Sequence, residues 1–160
     1  METLVPFFLF AITLHNLEEA LWLPDWSKHA SKFQKPVEKN EFRFAVICIT
    51  ALAYLSAFYY LVSSDSGFAK FIFAGFLGAM MLNAVFPHLL ATLALKSYAP
   101  GLLTGILLNI PINGFILHTF IQNQELTYIQ LALSTIAVGA VLVMLIPLLF
   151  KIGKSVTGSF

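Results

Sequence analysis

The chain has 160 residues, 59% of them apolar and only 11% charged, with a formal net charge of +1. Too few charged side chains are present to coat a soluble domain of this size, and the near-neutral balance offers no footing for nucleic acid. Mean hydropathy is +0.85, and the apolar runs are continuous rather than alternating, which points to membrane-spanning helices and away from a β-barrel.

Crossing the hydrocarbon takes about 20 residues of helix. Five runs meet that length, and together they predict an all-α bundle of transmembrane helices forming one domain over residues 1–160. The first covers about residues 4–23. It lacks a basic start, and Leu-Trp-Leu-Pro is a poor small-residue cleavage site, so it is expected to remain as a permanent helix. The polar stretch PDWSKHASKFQKPVEKNEF leads to the second run, about 44–62, which ends at the Ser63 to Gly67 turn. The single cysteine, Cys48, lies inside this run and has no internal partner for a disulfide. The third run covers about 68–95, and the fourth about 101–121. QNQEL separates the fourth from the fifth, about 127–150. Short loops favour antiparallel neighbours. Five spans do not divide into two equal halves, which weakens an inverted-repeat transporter reading.

Charge sets the expected orientation. With five spans, Lys28, Lys32, Lys35, Lys39, Arg43, Lys96, Lys151 and Lys154 fall on one side and Lys70 on the other. This bias predicts a cytoplasmic first loop and C-terminus, with the N-terminus outside.

Polar residues inside the spans then acquire depths. At 1.5 Å rise per residue, His15, Glu18 and Glu19 lie one to two turns below the cytoplasmic surface. Asn83 and His88 fall in the inner half of the third span, and Asn109 about two turns into the fourth. Tyr98 is placed to lean over the opening. Both carboxylates sit three and four residues after His15, on the histidine's side of the helix. Ionisable groups at mid-bilayer cost roughly 2.5–3.5 kcal/mol on insertion scales, so these shallower ones are expected to face the bundle interior. His29 belongs to the solvated loop, and His118 to the outer end of the fourth span. Pro87 deprives the Asn83 carbonyl of its backbone partner, and Pro111 does the same to Leu107. Pro147 reads as a packing kink. Gly75 with Gly78, and Gly101 with Gly105, suit close helix contact. Pro100 fits the first turn of the fourth span, and Gly101 permits a tight reversal.

HNLEE at 15–19, NAVFPH at 83–88 and YAPG at 98–101 together resemble the HXXEE family of small membrane proteins. That family is recognised by a His-x-x-Glu-Glu motif, a second histidine and a Tyr-x-Pro-Gly motif. His15, Glu18 and Glu19 match the first, His88 is the candidate for the second, and Tyr98, Pro100 and Gly101 match the third. The resemblance implies a multi-span membrane protein and supplies no activity. With the small size of the chain, it also implies a bacterial inner-membrane location.

The residues support several chemistries. His15, Glu18, Glu19 and His88 are suitable ligands for zinc, iron or manganese, with Asn83, Asn109 and Tyr98 as supporting or substrate-binding groups. That set predicts a metal-dependent enzyme, hydrolase or isomerase in type, acting on a lipid-like or isoprenoid-like substrate from the bilayer. The same residues would serve a metal-free acid/base isomerase, because two nearby carboxylates in low dielectric cannot both ionise easily. Proton or cation transport is a further alternative, although only Asn113 and His118 continue a polar path outward. A purely structural hydrogen-bonded network is the remaining one.

Overall fold

A computed structural model describes residues 2–31 and 35–158. Lys32, one of the charges used for orientation, lies outside the described residues. Within them all regular structure is helical, with no strand. A short 3-10 turn, Glu2–Leu4, leads into α1, Val5–His29. Then come α2, Lys39–Val62, and α3, Gly67–Asn83. The third span continues through a wide turn, Ala84–Leu89, into α4, Leu90–Leu95. The fourth span begins with α5, Leu102–Thr104, passes through a second wide turn, Gly105–Asn109, and continues as α6, Ile110–Gln122. The last helix is α7, Tyr128–Thr157. Five helical stretches are long and apolar enough to cross a membrane: Glu2–His29, Lys39–Val62, Gly67–Leu95, Leu102–Gln122 and Tyr128–Thr157.

Local sequence explains where these helices start and how they absorb proline. The Ser66 side chain accepts from the Ala69 N–H at the start of α3. Thr127 and Gln130 form a reciprocal capping box at the start of α7. The first span does not stop near Pro24, as its sequence suggests, and carries on to His29. Proline removes the donor that would bond the Ala20 carbonyl, and Arg43 replaces it, its Nε donating to that oxygen at 3.1 Å. The helix therefore passes the proline without stranding a carbonyl.

The third span is the most enclosed, with 56% of its central window buried against 17% for the fifth. It is the post around which the others stand. Phe73 on α3 stacks on Tyr60 of α2 at 5.0 Å and meets Phe8 of α1 and Phe120 of α6 edge-on. This aromatic knot fills the half of the bundle away from the His/Glu residues. Glycines bring α3 and α7 together next to it. A Cβ at Gly75 would lie 2.5 Å from the Ser134 carbonyl oxygen, and one at Gly78 would overlap the Thr135 side chain. At the other end α7 packs on α2, where a Cβ at Gly153 would meet Glu41 and Phe44 at 3.2 Å, while the third and fourth spans turn to irregular backbone there.

Candidate functional site

The site begins on α1. His15 and Glu19 are one turn apart, and His15 Nε2 lies 3.4 Å from Glu19 Oε1. His15 is fully buried.

The third span supplies its part through a break. Phe86 precedes a proline and is pushed out of the helical region, to φ −129° and ψ 112°. The Phe86–Pro87 peptide bond is cis. Below it the Leu90 N–H reaches back five residues to the Val85 carbonyl, a π-helical bond. In an unbroken helix Asn83 and His88 would point about 140° apart, at 3.6 residues per turn. The break turns them together, with Asn83 Nδ2 3.2 Å from His88 Nε2 and 3.1 Å from His15 Nε2. His88 Nε2 also lies 2.7 Å from Glu19 Oε1. The two imidazoles meet edge to face, with ring centres 5.3 Å apart.

Glu18 does something different. Its carboxylate faces the turn between the third and fourth spans and is saturated there. Oε1 accepts from the Tyr98 hydroxyl and from the Gly101 N–H at 2.8 Å. Oε2 accepts from the Thr104 N–H at 3.1 Å and the Thr104 hydroxyl at 2.6 Å. Gly101 is held at φ +96°, and a Cβ there would sit 2.7 Å from His88 Cε1. Glycine is needed twice over, for the left-handed backbone and for the space the His88 ring occupies. Ala99 accepts from the Leu102 N–H at 3.1 Å, closing the turn through Pro100. The Tyr98 hydroxyl is pushed up to about 12 by burial and by its bond to the Glu18 carboxylate, so it stays a donor at ordinary pH.

Hydrogen-bond arithmetic now fixes a tautomer. The single hydroxyl proton of Thr104 goes to Glu18. Toward His15 Nδ1, 3.1 Å away, that hydroxyl can only accept. Nδ1 therefore carries the ring proton, and neutral His15 presents a lone pair at Nε2. The ligand-capable atoms of His15, Glu19 and His88 all lie within 4.8 Å of one another. Two imidazole nitrogens and a carboxylate oxygen form a donor set able to hold a divalent metal, with the Glu18–Thr104 pair orienting one imidazole from behind.

A cavity of about 580 Å³ reaches this cluster. Glu19, His88, Asn83 and Asn16 form its polar end, and largely apolar residues of α1, α2, the third span and α7 form most of the rest.

Six residues singled out in the sequence are thus gathered: His15, Glu19, His88 and Asn83 around one centre, with Glu18 and Tyr98 bonded just behind it. Glu18 is not among the three groups that converge, because its oxygens are engaged by the 98–104 turn. Asn109 is buried one turn beyond Gly105 with neither atom of its amide hydrogen-bonded, so it makes no bond to the cluster it was expected to join. His29 is exposed and contacts the Asp25 carbonyl, and His118 is exposed far along α6. Sequence reading passed over Thr104 and Asn16. Thr104 sits three residues after Gly101, a spacing that brings its N–H and hydroxyl to the same carboxylate. Asn16 is next to His15 and donates to Thr50 Oγ1 at 2.7 Å while lining the cavity.

A family model described as "Protein of unknown function with HXXEE motif" matches residues 6–116, a stretch that contains every residue of the cluster. The chain is 58% identical over 157 residues to "Uncharacterized protein YrkK" of Bacillus subtilis (strain 168), covering 98% of this chain and 99% of that protein. No solved structure matches. The chain belongs to the HXXEE family.

Proposed function

We propose that His15, Glu19 and His88 hold a divalent metal ion, zinc, iron or manganese, at the centre of a membrane enzyme acting on lipid-like molecules. The observation that carries this reading is the convergence of three lone-pair donors at the polar end of an apolar cavity. Two imidazoles and one carboxylate leave positions open for water or substrate, as catalytic sites require. When bound, the ion would supply Lewis acidity toward a substrate oxygen or a bound water. The chain's own groups do the rest. Thr104 and Glu18 keep the proton of His15 on Nδ1. The Asn83 amide now lies against both imidazole nitrogens; with those lone pairs on an ion, its N–H groups would be free to donate to a substrate oxygen. The positive-inside bias supports a centre near the cytoplasmic leaflet, with the N-terminus outside.

The 2.7 Å separation of Glu19 and His88 supports a second reading, in which the pair shares a proton and works as acid and base without metal. Metal analysis of the detergent-purified protein separates the two. The first reading expects near-stoichiometric metal in the parent and its loss in His15→Ala, Glu19→Gln and His88→Ala. A parent that stays metal-free after incubation with zinc, iron and manganese ends the metal reading.

A further inference from the structure

The cavity also carries information about what reaches the centre. Its wall includes Leu82 and Phe86 on the third span and Ile136 and Val143 on the fifth, which are 57%, 69%, 66% and 67% exposed. Residues that line a cavity and also face outward mark its mouth. These four lie on the lipid-facing surface of two spans, so the mouth opens sideways into the bilayer. The glycine contacts explain why it opens there. Gly75 and Gly78 clamp α3 against Ser134 and Thr135. Beyond that clamp the third span breaks at Phe86–Pro87 and no longer follows α7.

The size and charge of the cavity limit the occupant. About 580 Å³ lies within the roughly 300–1,000 Å³ of pockets that take small ligands. That suits one chain and a small head. No lysine or arginine lines the cavity among the described residues, and its one charged group is Glu19. An ion held by Glu19 is already partly neutralised, and among the described residues no cationic side chain stands beside it to pair the remaining oxygens of an anionic head.

From these features we infer that the substrate is a single-chain lipid with an uncharged, oxygen-bearing head, such as a long-chain or prenyl alcohol or its aldehyde. It enters from the membrane between the third and fifth spans. Its head lies at Glu19, His88 and Asn83, and its chain lies along α7. This inference rests on the proposed metal centre for the head's partner, and on the cavity alone for the chain and the portal.

The test uses the full chain in phosphatidylcholine vesicles with a photoreactive long-chain alcohol, and maps the cross-links by peptide mass spectrometry. Labels are expected at the four mouth residues and the cavity wall, with competition by the plain alcohol and none by the alkyl phosphate of equal length. Ile136→Trp and Val143→Trp plug the mouth from the lipid side without entering the packed core. Each should cut labelling about tenfold or more, a loss equivalent to at least about 1.4 kcal/mol of affinity. Met144→Trp, also on the lipid face but away from the cavity, should leave labelling intact. Labelling spread over outward residues such as Phe58 and indifferent to Val143→Trp overturns the proposal, as does equal competition by the alkyl phosphate. Metal is measured in the same samples. Metal without localised labelling overturns this inference alone, and localised labelling without metal overturns the metal centre alone.

Discussion

Gly101→Ala is the sharpest single test of how the site is held. Two costs are expected. The first is backbone strain: at φ +96° an L-residue costs about 1–2 kcal/mol relative to glycine. The second is steric. The new Cβ would lie 2.7 Å from His88 Cε1 and 2.9 Å from Nε2, closer than carbon atoms approach in folded proteins, so the imidazole must move. His88 is 3% exposed, and displacing it breaks its contact with Glu19 and leaves buried polar groups unpaired, at about 1–3 kcal/mol. The sum is about 2–5 kcal/mol of stability. Metal affinity should fall by more than the 10–100-fold typical of losing a supporting residue, because a ligand itself is displaced. Gly114→Ala on the fourth span is the control. Its Cβ would meet only the end of Met81 at 3.6 Å, and glycine in a helix interior is worse than alanine by about 0.5–1 kcal/mol, so stability should hold or rise. Thermal unfolding in detergent and metal titration of both variants give the answer. A Gly101→Ala protein with the parent's melting temperature and metal affinity would show that the 98–104 turn does not press on His88, and the account of the site would collapse.

Further outcomes follow from the same geometry. Thr104→Val keeps the shape but removes the hydroxyl between His15 and Glu18, so metal affinity should drop about 10–100-fold; unchanged affinity in a metal titration would refute the tautomer argument. Gly78→Ala inserts a methyl into the Thr135 side chain and should cost about 1–3 kcal/mol by overpacking, read as a lower melting temperature, with no loss expected for Gly139→Ala, where the nearest atom is 3.8 Å away. Tyr98 provides a pH signature. Its hydroxyl pKa is raised from about 10 in the unfolded chain to about 12 in the fold, so its contribution is complete below pH ~10 and is lost as pH rises through ~12. The gap in melting temperature between the parent and Tyr98→Phe should therefore be flat from neutral pH to about 10 and narrow above it; a gap that already narrows near neutral pH would contradict the Glu18 bond.

Much of the architecture is legible in the order of residues. Continuous apolar runs of membrane length specify five helices, because a bilayer leaves a backbone no partner except itself. The Ser63 to Gly67 turn and the QNQEL stretch mark the breaks on either side of the middle spans, while α1 runs on to His29 and α7 to Thr157, past the ends expected at about 23 and 150. Proline misled at one point: Pro24 reads as a stop, yet Arg43, distant in sequence, bonds the carbonyl it strands. The side chains that come to one depth are also visible, since rise per residue is constant along a helix.

Direction around the helix axis is another matter. Glu18 and Glu19 are adjacent and chemically alike, and nothing local says which one meets the histidines. That choice is made by the Tyr98 to Thr104 turn, whose donors claim Glu18 and leave Glu19 for His15 and His88. Asn83 and His88 would diverge on a regular helix, and only the irregular backbone at Phe86–Pro87 brings them to one point. Sequence by itself determined the spans and the supply of polar groups, because hydropathy and helical rise are local properties. The tertiary structure alone decided which of those groups face one another, because rotation about a helix axis is set by partners far along the chain.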